Sequence, residues 1–322
     1  MGEFELIRTY FKQYAKQHSD VMLGIGDDCA ITLLKPNQRL VTTTDMLVQG
    51  THFFPDISPA DLAYKSVAVN LSDLAAMGAR PRWISLALSL PRVDSVWLEA
   101  FSRSLFEILT QYNVALIGGD TVRGELSLTI TAQGVLPQAV GLLRKNAKVG
   151  DWIFVSGSLG ESAAGLDILF QSPPKPLSAS QQWLVKRHLS PTPRVELGQF
   201  LTQFSQCAID ISDGLLADLR HILEQSQVGA EIRLEQLPLS DELLENYSLE
   251  QAEKFALTGG EDYELCFTVS DEQMALFSQA VKHFDVSCHC IGRITAKTGK
   301  LELTKQGKVV SISSQDGFHH FN

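Results

Sequence analysis

The sequence predicts a two-domain protein of the α/β or α+β class, and three observations carry that expectation. Its 322 residues suffice for two domains of ordinary size. Apolar residues make up 44% of the chain and charged residues 20%, the balance of a globular protein rather than a disordered one. Along the chain, short apolar runs that suit strands alternate with longer stretches of helical period, the mixture that packs helices on sheets.

The chain opens with Leu6, Ile7, Tyr10, Phe11 and Tyr14 at helical spacing, which predicts an amphipathic helix over residues 4–16. The turn-rich stretch Gly24-Ile25-Gly26-Asp27-Asp28 leads into short extended segments ending at Asp45. Ser58-Pro59-Ala60-Asp61 is a helix start, with Ser as N-cap, Pro at the first position and an acid near the positive end. That helix runs through Val67, Leu71 and Leu74 and stops at Gly78, with Pro81 beyond. A further helix over residues 95–112 carries Trp97, Phe101, Leu105 and Leu109 on one face.

Val114-Ala115-Leu116-Ile117 is a buried-strand run that ends in Gly118-Gly119-Asp120-Thr121, and residues 126–136 alternate as another strand. Residues 137–151 form the candidate junction, so domains are expected over 1–137 and 138–322. Beyond it, 152–155 read as a strand and 157–165 turn into a helix. Strands are expected at 208–211, 263–269 and 286–294, helices at 213–223 and 272–283, and a hairpin over 301–312 around Gln306-Gly307. The chain shows no low-complexity segment and no short-period repeat.

The formal net charge of −10 speaks against a nucleic-acid binder, which normally carries a basic face. It suits a nucleotide binder, because acidic residues can hold Mg²⁺ and the metal then carries the phosphates. No apolar run approaches the roughly 20 residues that span a bilayer. The start, Met1-Gly2-Glu3-Phe4-Glu5-Leu6, lacks the basic and apolar regions of a secretory signal, and Leu6 departs from the myristoylation pattern. A cytoplasmic protein is therefore expected, with neither membrane nor nucleic acid as partner. Cys29, Cys207 and Cys266 stand alone in apolar surroundings, as small hydrophobes do. Cys288-His289-Cys290 has no second Cys/His pair at a zinc-like spacing and reads as part of a strand.

The aspartates carry the chemical message. Asp27 and Asp28 follow Leu23-Gly24-Ile25-Gly26, Asp45 follows Val41-Thr42-Thr43-Thr44, and Asp120 follows Leu116-Ile117-Gly118-Gly119. Asp210 and Asp213 flank Ile211-Ser212. Any one of these suits a turn or a helix cap. Their recurrence after extended runs is another matter, because strand ends bordering helix starts are where α/β folds place ligands. Asp73 differs, since it lies inside a helix on the Leu71/Leu74 side, where a bare charge is costly. Carboxylates and hydroxyls are hard oxygen ligands of the kind Mg²⁺ takes together with substrate phosphates. The chain nevertheless lacks a Gly-x-x-x-x-Gly-Lys-[Ser/Thr] loop, a protein-kinase catalytic loop and an Asp-Phe-Gly. Gly157-Ser158-Leu159-Gly160 is glycine-rich without the dinucleotide fingerprint. An ATP enzyme built on this sequence belongs to another class.

Six segments in order resemble the thiamine-monophosphate kinase family. They are Gly24-Ile25-Gly26-Asp27-Asp28, Thr43-Thr44-Asp45, residues 69–79 (Val-Asn-Leu-Ser-Asp-Leu-Ala-Ala-Met-Gly-Ala), Gly118-Gly119-Asp120-Thr121, Asp210-Ile211-Ser212-Asp213-Gly214 and Gly259-Gly260-Glu261-Asp262-Tyr263-Glu264. Residues 316–321 (Asp-Gly-Phe-His-His-Phe) extend the set to nearly the whole chain. The family sits in the superfamily of aminoimidazole ribonucleotide synthetase, whose members bind ATP without a lysine loop.

The resemblance implies a PurM-like fold, with an N-terminal mixed-sheet domain that pairs with a second subunit in a β-barrel-like interface and a C-terminal α/β sandwich. It implies a homodimer that uses ATP and several Mg²⁺ ions to phosphorylate thiamine monophosphate. Asp28, Thr43, Thr44, Asp45, Asp73, Asp120, Asp210 and Asp213 fall on the family's Mg²⁺ positions; Asp27 aligns less well than Asp28. Gly119, Asp120, Arg144 and Ser212 fall on its ATP positions, and His52, Glu261 and Phe318 on its substrate positions. None of these is a covalent catalyst, so the expected mechanism is direct in-line transfer without a phosphoenzyme. Alternatives are a sibling of the selenophosphate or aminoimidazole ribonucleotide synthetase type, a non-catalytic nucleotide or Mg²⁺ sensor, and a metal-dependent phosphatase. Cys29 follows the Asp pair rather than lying in an N-terminal glycine-rich loop, and the chain ends His319-His320-Phe321-Asn322 rather than in cysteine, which sets it apart from two siblings.

Overall fold

The computed structural model describes residues 2–16, 18–136, 141–171 and 176–310. Contacts divide the chain into two compact units, one of residues 1–74 and 79–139, the other of residues 75–78 and 140–322.

The first unit begins with α1 (Glu3–Leu6), which continues as a π-helical turn (Ile7–Phe11) and a 3₁₀ turn (Lys12–Tyr14). The expected single helix is therefore rewound twice. The changed winding rotates its apolar stripe, so that Leu6, Tyr10 and Phe11 are buried while Tyr14 is exposed. Tyr14 still meets Phe106, with ring centroids 5.7 Å apart. A small ribbon of β1 (Val21–Leu23) and β2 (Ile31–Thr32) follows.

The main sheet of this unit takes the order β3-β6-β4-β5, from β3 (Arg39–Val48), β4 (Arg80–Leu90), β5 (Ala115–Arg123) and β6 (Ser127–Leu136). Only β4 and β5 run parallel. They are joined through α3 (Ser95–Gln111), while α2 (Pro59–Ala76) lies between β3 and β4 in sequence. The central strand β4 does not figure among the expected elements, although Leu86, Leu88 and Leu90 alternate with Ser85, Ala87 and Ser89. Pro81 at its start sits where the pairing with β6 is irregular, which is how a strand accommodates proline. Leu86 opposes Ile130 and Leu88 opposes Leu128, so one face of the sheet is a continuous apolar surface.

Helix starts follow the capping chemistry. The Ser58 hydroxyl accepts the Asp61 N–H at 3.0 Å and donates to the Asp61 carboxylate at 2.6 Å. Asp94 accepts from the N–H groups of Val96 and Trp97 at the start of α3. The Ser104 hydroxyl of α3 donates to the Ala60 carbonyl of α2 at 2.7 Å, joining the two helices.

The second unit is a seven-stranded sheet of order β13-β12-β9-β11-β7-β10-β8. Its strands are β7 (Trp152–Ser156), β8 (Ala208–Asp210), β9 (Gly229–Arg233), β10 (Leu265–Val269), β11 (Cys288–Thr295), β12 (Leu301–Lys305) and β13 (Lys308–Val310). Between them stand α4 (Glu161–Gln171), α5 (Ala179–Leu189), α6 (Val195–Leu201), α7 (Leu215–Ser226), α8 (Asp241–Asn246), α9 (Leu249–Thr258) and α10 (Asp271–Ala280). Ile153 and Val155 of β7 join one core with Leu215, Leu219, Ile222 and Leu223 of α7. Phe154 stacks on Phe267 at 5.6 Å and meets the edge of Phe277 of α10 at 5.1 Å. The expected hairpin is present: Gln306 and Gly307 both adopt left-handed backbone (φ +52° and +74°), the geometry of a two-residue turn that matches strand twist.

The crossing of α4 and α5 sets Ser162 beside His188. At Gly165 a Cβ would come within 2.2 Å of the Leu184 carbonyl oxygen and 3.1 Å of the His188 Cβ, so the helices touch backbone to backbone there. Gly165→Ala is expected to lower unfolding stability by about 1–3 kcal/mol through overpacking. Urea denaturation measures this; an unchanged midpoint would show that the crossing is not close.

Candidate active site

In the first unit the site is built where β3 faces α2. Thr43, Asp45 and Leu47 alternate with exposed Thr42, Thr44 and Met46 along the strand. Asn70 and Asp73, one helical turn apart, present their side chains to that inner row. The Thr43 hydroxyl donates to the Asp73 carboxylate, and the Asp45 N–H donates to the Asn70 Oδ1 at 3.2 Å. Asn70 is itself fixed by donating to the Ser66 carbonyl at 3.0 Å. Burial, and then the neighbouring Asp73 charge, push the Asp45 carboxyl up to about 7. Thr44, on the opposite face, lies 3.0 Å from the Thr131 hydroxyl across the β3–β6 pair.

Asp45 and Asp120 lie inside strands rather than at their ends, because β3 and β5 run on past them. Neither position was foreseen. The strand register aligns Asp45, Ile130, Leu86 and Gly119 in one lateral row. Three strand spacings, about 14 Å, therefore separate the Asp45 row of β3 from Gly119 and Asp120 on β5. Within this unit Asp120 serves a position apart from the Asp45–Asp73 pair. Gly119 (φ +153°) approaches the Leu86 carbonyl so closely that a Cβ would lie 1.9 Å from its oxygen. Asp28 is exposed, with its N–H donated to the Asp27 carboxylate at 2.9 Å.

His52 closes the turn after β3. Its Nδ1 accepts the Val48 N–H at 3.0 Å while its own N–H donates to the Val48 carbonyl at 2.9 Å. A backbone N–H only donates, so the ring proton is on Nε2.

In the second unit, Asp210 ends β8 and Ser212, Asp213 and Gly214 turn into α7. A residue the sequence reading passed over shapes this turn. Asp218 accepts the N–H groups of Ser212, Asp213 and Gly214 at 3.1, 3.0 and 3.1 Å. Burial raises its carboxyl to about 7, opposed by these backbone donors. The donors at the helix start are thus taken by Asp218, and the turn offers ligands its side chains. The turn is welded to the Gly259–Glu264 segment: Glu261 and Tyr263 donate backbone N–H to Ser212 and Ile211, and Ile211 donates to Glu264, at 2.8–2.9 Å.

That segment is held from behind. Glu264, fully buried, accepts from Ser156 (2.6 Å), Arg187 (2.9 Å) and Arg194 (2.7 Å). Arg187 also donates to Glu161 at 2.8 Å, and Trp183 donates to the same carboxylate at 3.0 Å. Asp262 accepts the N–H groups of Gly160 and Ser162 at the start of α4, at 2.6 and 3.0 Å. Arg187 and Arg194 stand some 70 residues and more from Glu264 in sequence, which left no local signal to find them. Glu264 and Asp262 lie in the motif that carried the resemblance, but their roles as buried anchors are visible only in the fold.

Arg144 is exposed, on a 3₁₀ turn whose carbonyl accepts the Ser226 hydroxyl at 2.7 Å. Phe318 lies outside the described residues. The structure therefore unites Thr43, Asp45 and Asp73 in one unit, and Asp210, Ser212, Asp213 and Glu261 on two joined segments in the other. Cys288 and Cys290 lie in β11, half-buried and unpaired by disulfide.

Two family models match the chain. AIR synthase related protein, N-terminal domain, matches residues 26–136, and AIR synthase related protein, C-terminal domain, matches residues 148–303. Thiamine-monophosphate kinase of Haemophilus influenzae is 52% identical over 323 residues, covering 100% of this chain and 98% of the relative. The crystal structure of thiamine-monophosphate kinase from Stenotrophomonas maltophilia superposes with a TM-score of 0.87 at 42% identity, covering 95% of this chain and 97% of that one. The structure of AaThiL complexed with AMPPCP and TMP superposes at 0.78 with 33% identity, covering 99% and 97%. By full-length identity and by fold, the chain belongs to the thiamine-monophosphate kinase family of AIR synthase-related proteins.

Proposed function

We propose that the protein transfers the γ-phosphoryl group of ATP directly to the phosphate of thiamine monophosphate, giving thiamine diphosphate and ADP. The names of its full-length relatives and the AaThiL complex with AMPPCP and TMP support both the reaction and its two ligands. Within this chain, the reading is carried by the Thr43–Asp45–Asp73 cluster, a carboxylate pair built with a hydroxyl at a helix–strand contact.

A divalent cation fits that cluster. Burial and like charge both penalise ionised Asp45, and a bound cation relieves both. The donors are hard oxygens, as Mg²⁺ requires. Among the described residues no three of His, Cys, Asp and Glu form a ready-made cage. That is compatible with Mg²⁺, which ordinarily takes one or two carboxylates and completes its shell with phosphates and water. Asp28, Thr43, Thr44, Asp45, Asp73, Asp120, Asp210 and Asp213 are assigned to several such ions. When bound, Mg²⁺ offsets the repulsion between the two anionic phosphates.

The chain's own groups bind and orient. Gly119, Asp120, Arg144 and Ser212 are assigned to ATP. Arg144 offers a permanent planar charge to phosphate oxygens from a backbone that Ser226 anchors. His52, Glu261 and Phe318 are assigned to thiamine monophosphate. His52 presents Nε2–H, a donor for a phosphate oxygen, and Glu261 accepts from the aminopyrimidine. Every assigned residue is a ligand or a positioning group, and the acceptor phosphate is the nucleophile, so no phosphoenzyme forms.

Residues 1–137 are read as the ATP- and Mg²⁺-binding, dimerising domain and 138–322 as the C-terminal domain. A homodimer is supported by the open edge of β3 and by exposed Met22, Leu23, Ile31, Leu33, Leu40 and Met46 on and beside the small ribbon and β3. No described helix is long and apolar enough to cross a membrane. A cytoplasmic site of action suits its two phosphorylated substrates.

In an ADP-release assay with ATP, Mg²⁺ and thiamine monophosphate, thiamine diphosphate should form in step with ADP. Asp45→Asn or Asp213→Asn should lower kcat/KM by about two orders of magnitude or more. Phosphate release without acceptor would identify a phosphatase instead, and bound but unchanged ATP a sensor. A second outcome concerns stability without metal. The Asp45 carboxyl titrates near 7 in the folded chain against 3.8 ordinarily, so the folded state holds the proton more tightly and loses stability as pH rises between the two values. In EDTA, Asp45→Asn should therefore stabilise the chain by about 2–4 kcal/mol above pH 7, with the gain shrinking toward pH 4. A pH-independent effect in thermal melts would refute the strained carboxylate pair.

A further inference from the structure

The last turn of α5 places His188 against the substrate-side segment, and neither the motif set nor the relatives' names assign it a role. His188 is buried, at 3% exposure, as is Ser162 at 1%. Its Nδ1 lies 3.0 Å from the Ser162 hydroxyl and 3.4 Å from the Glu261 Oε2. Glu261 keeps a side chain 27% exposed, open to a ligand on one side and to His188 on the other.

A carboxylate oxygen only accepts, so with the ring proton on Nδ1 the imidazole turns an N–H toward Glu261. Ser162 then accepts from the same N–H and braces the ring. Ser162 is fixed in turn, because its backbone N–H donates to Asp262, the residue after Glu261. His188 is fixed by the neighbouring Arg187, which spans Glu161 and Glu264, and by the close crossing at Gly165. Glu261 and Tyr263 both hold left-handed backbone (φ +66° and +52°), uncommon for such residues, so the segment is over-determined around one carboxylate.

We propose that His188 is a positioning residue for substrate binding: its Nδ1–H, braced by Ser162, holds the Glu261 carboxylate in the pose that receives the amino-substituted ring of the acceptor. The proposal rests on the reading of Glu261 as a substrate contact. A glutamate held by a second group before binding surrenders less side-chain freedom when the ligand arrives.

Three substitutions separate positioning from packing. His188→Asn keeps an N–H where Nδ1 stood, His188→Gln moves it to the Nε2 position, and His188→Leu removes it. Steady-state kinetics should show KM for thiamine monophosphate raised on the order of ten-fold in the Gln and Leu variants. The Asn variant should rescue it to within about three-fold, with KM for ATP steady throughout. Glu261→Ala should raise the same KM, and His188→Leu added to it should change nothing further. If Glu261→Ala leaves KM unchanged, the reading of Glu261 fails. If Glu261→Ala raises it and His188→Leu does not, the positioning role fails alone. Equal losses in the Asn, Gln and Leu variants, with KM for ATP rising and melting temperature falling together, would make His188 a packing residue; should the Leu variant not fold, the Asn–Gln contrast decides.

Discussion

Glu264 is fully removed from water and yet sits among Arg187, Arg194 and Ser156, so its charge is met entirely by protein. A buried carboxylate must be answered by donors, by a proton or by a cation, and the rest of the molecule follows from how each acid is answered. Asp262 and Asp218 are answered by backbone N–H groups at helix starts, which fixes two turns relative to the second sheet. Removing an arginine from beside Glu264 would leave a buried charge less compensated, typically worth about 3–5 kcal/mol for a buried ion pair. These acids therefore make a rigid frame.

Asp45 is treated differently. Burial raises the carboxyls of Asp45, Asp218 and Asp262 alike to about 7, but at Asp218 and Asp262 backbone N–H groups oppose the rise, whereas at Asp45 the neighbouring Asp73 charge adds to it. The contrast separates acids that build the protein from acids proposed to bind ligand.

Much of this was legible in the sequence, and the failures have physical causes. Asp45 and Asp73, with the hydroxyls beside Asp45, could be picked out because acids on apolar or extended elements are conspicuous, and Asp210 and Asp213 because they flank one turn; Ser212 came only from the family resemblance. The strand β4 is absent from the expected elements although its alternation is clear, and Pro81, read as lying just beyond a helix stop, stands at its start. Asp45 and Asp120 were expected at the ends of extended runs, but β3 and β5 run on past them to Val48 and Arg123. Arg187, His188 and Arg194 were out of reach: their partners lie tens of residues away, on α4 and in the 259–264 segment, and only the fold brings them together. Local pattern points to candidate ligand groups; the groups that hold them in place are set by tertiary contact.

In the proposed reaction, protein groups hold and orient two phosphates that react with each other directly. ATP made chiral at its γ-phosphorus with oxygen isotopes tests this in one turnover, by the configuration of the new phosphate in thiamine diphosphate. A single in-line transfer gives inversion at phosphorus, which is the predicted result. Retention would mean two successive transfers through a phosphorylated protein group, and would contradict it.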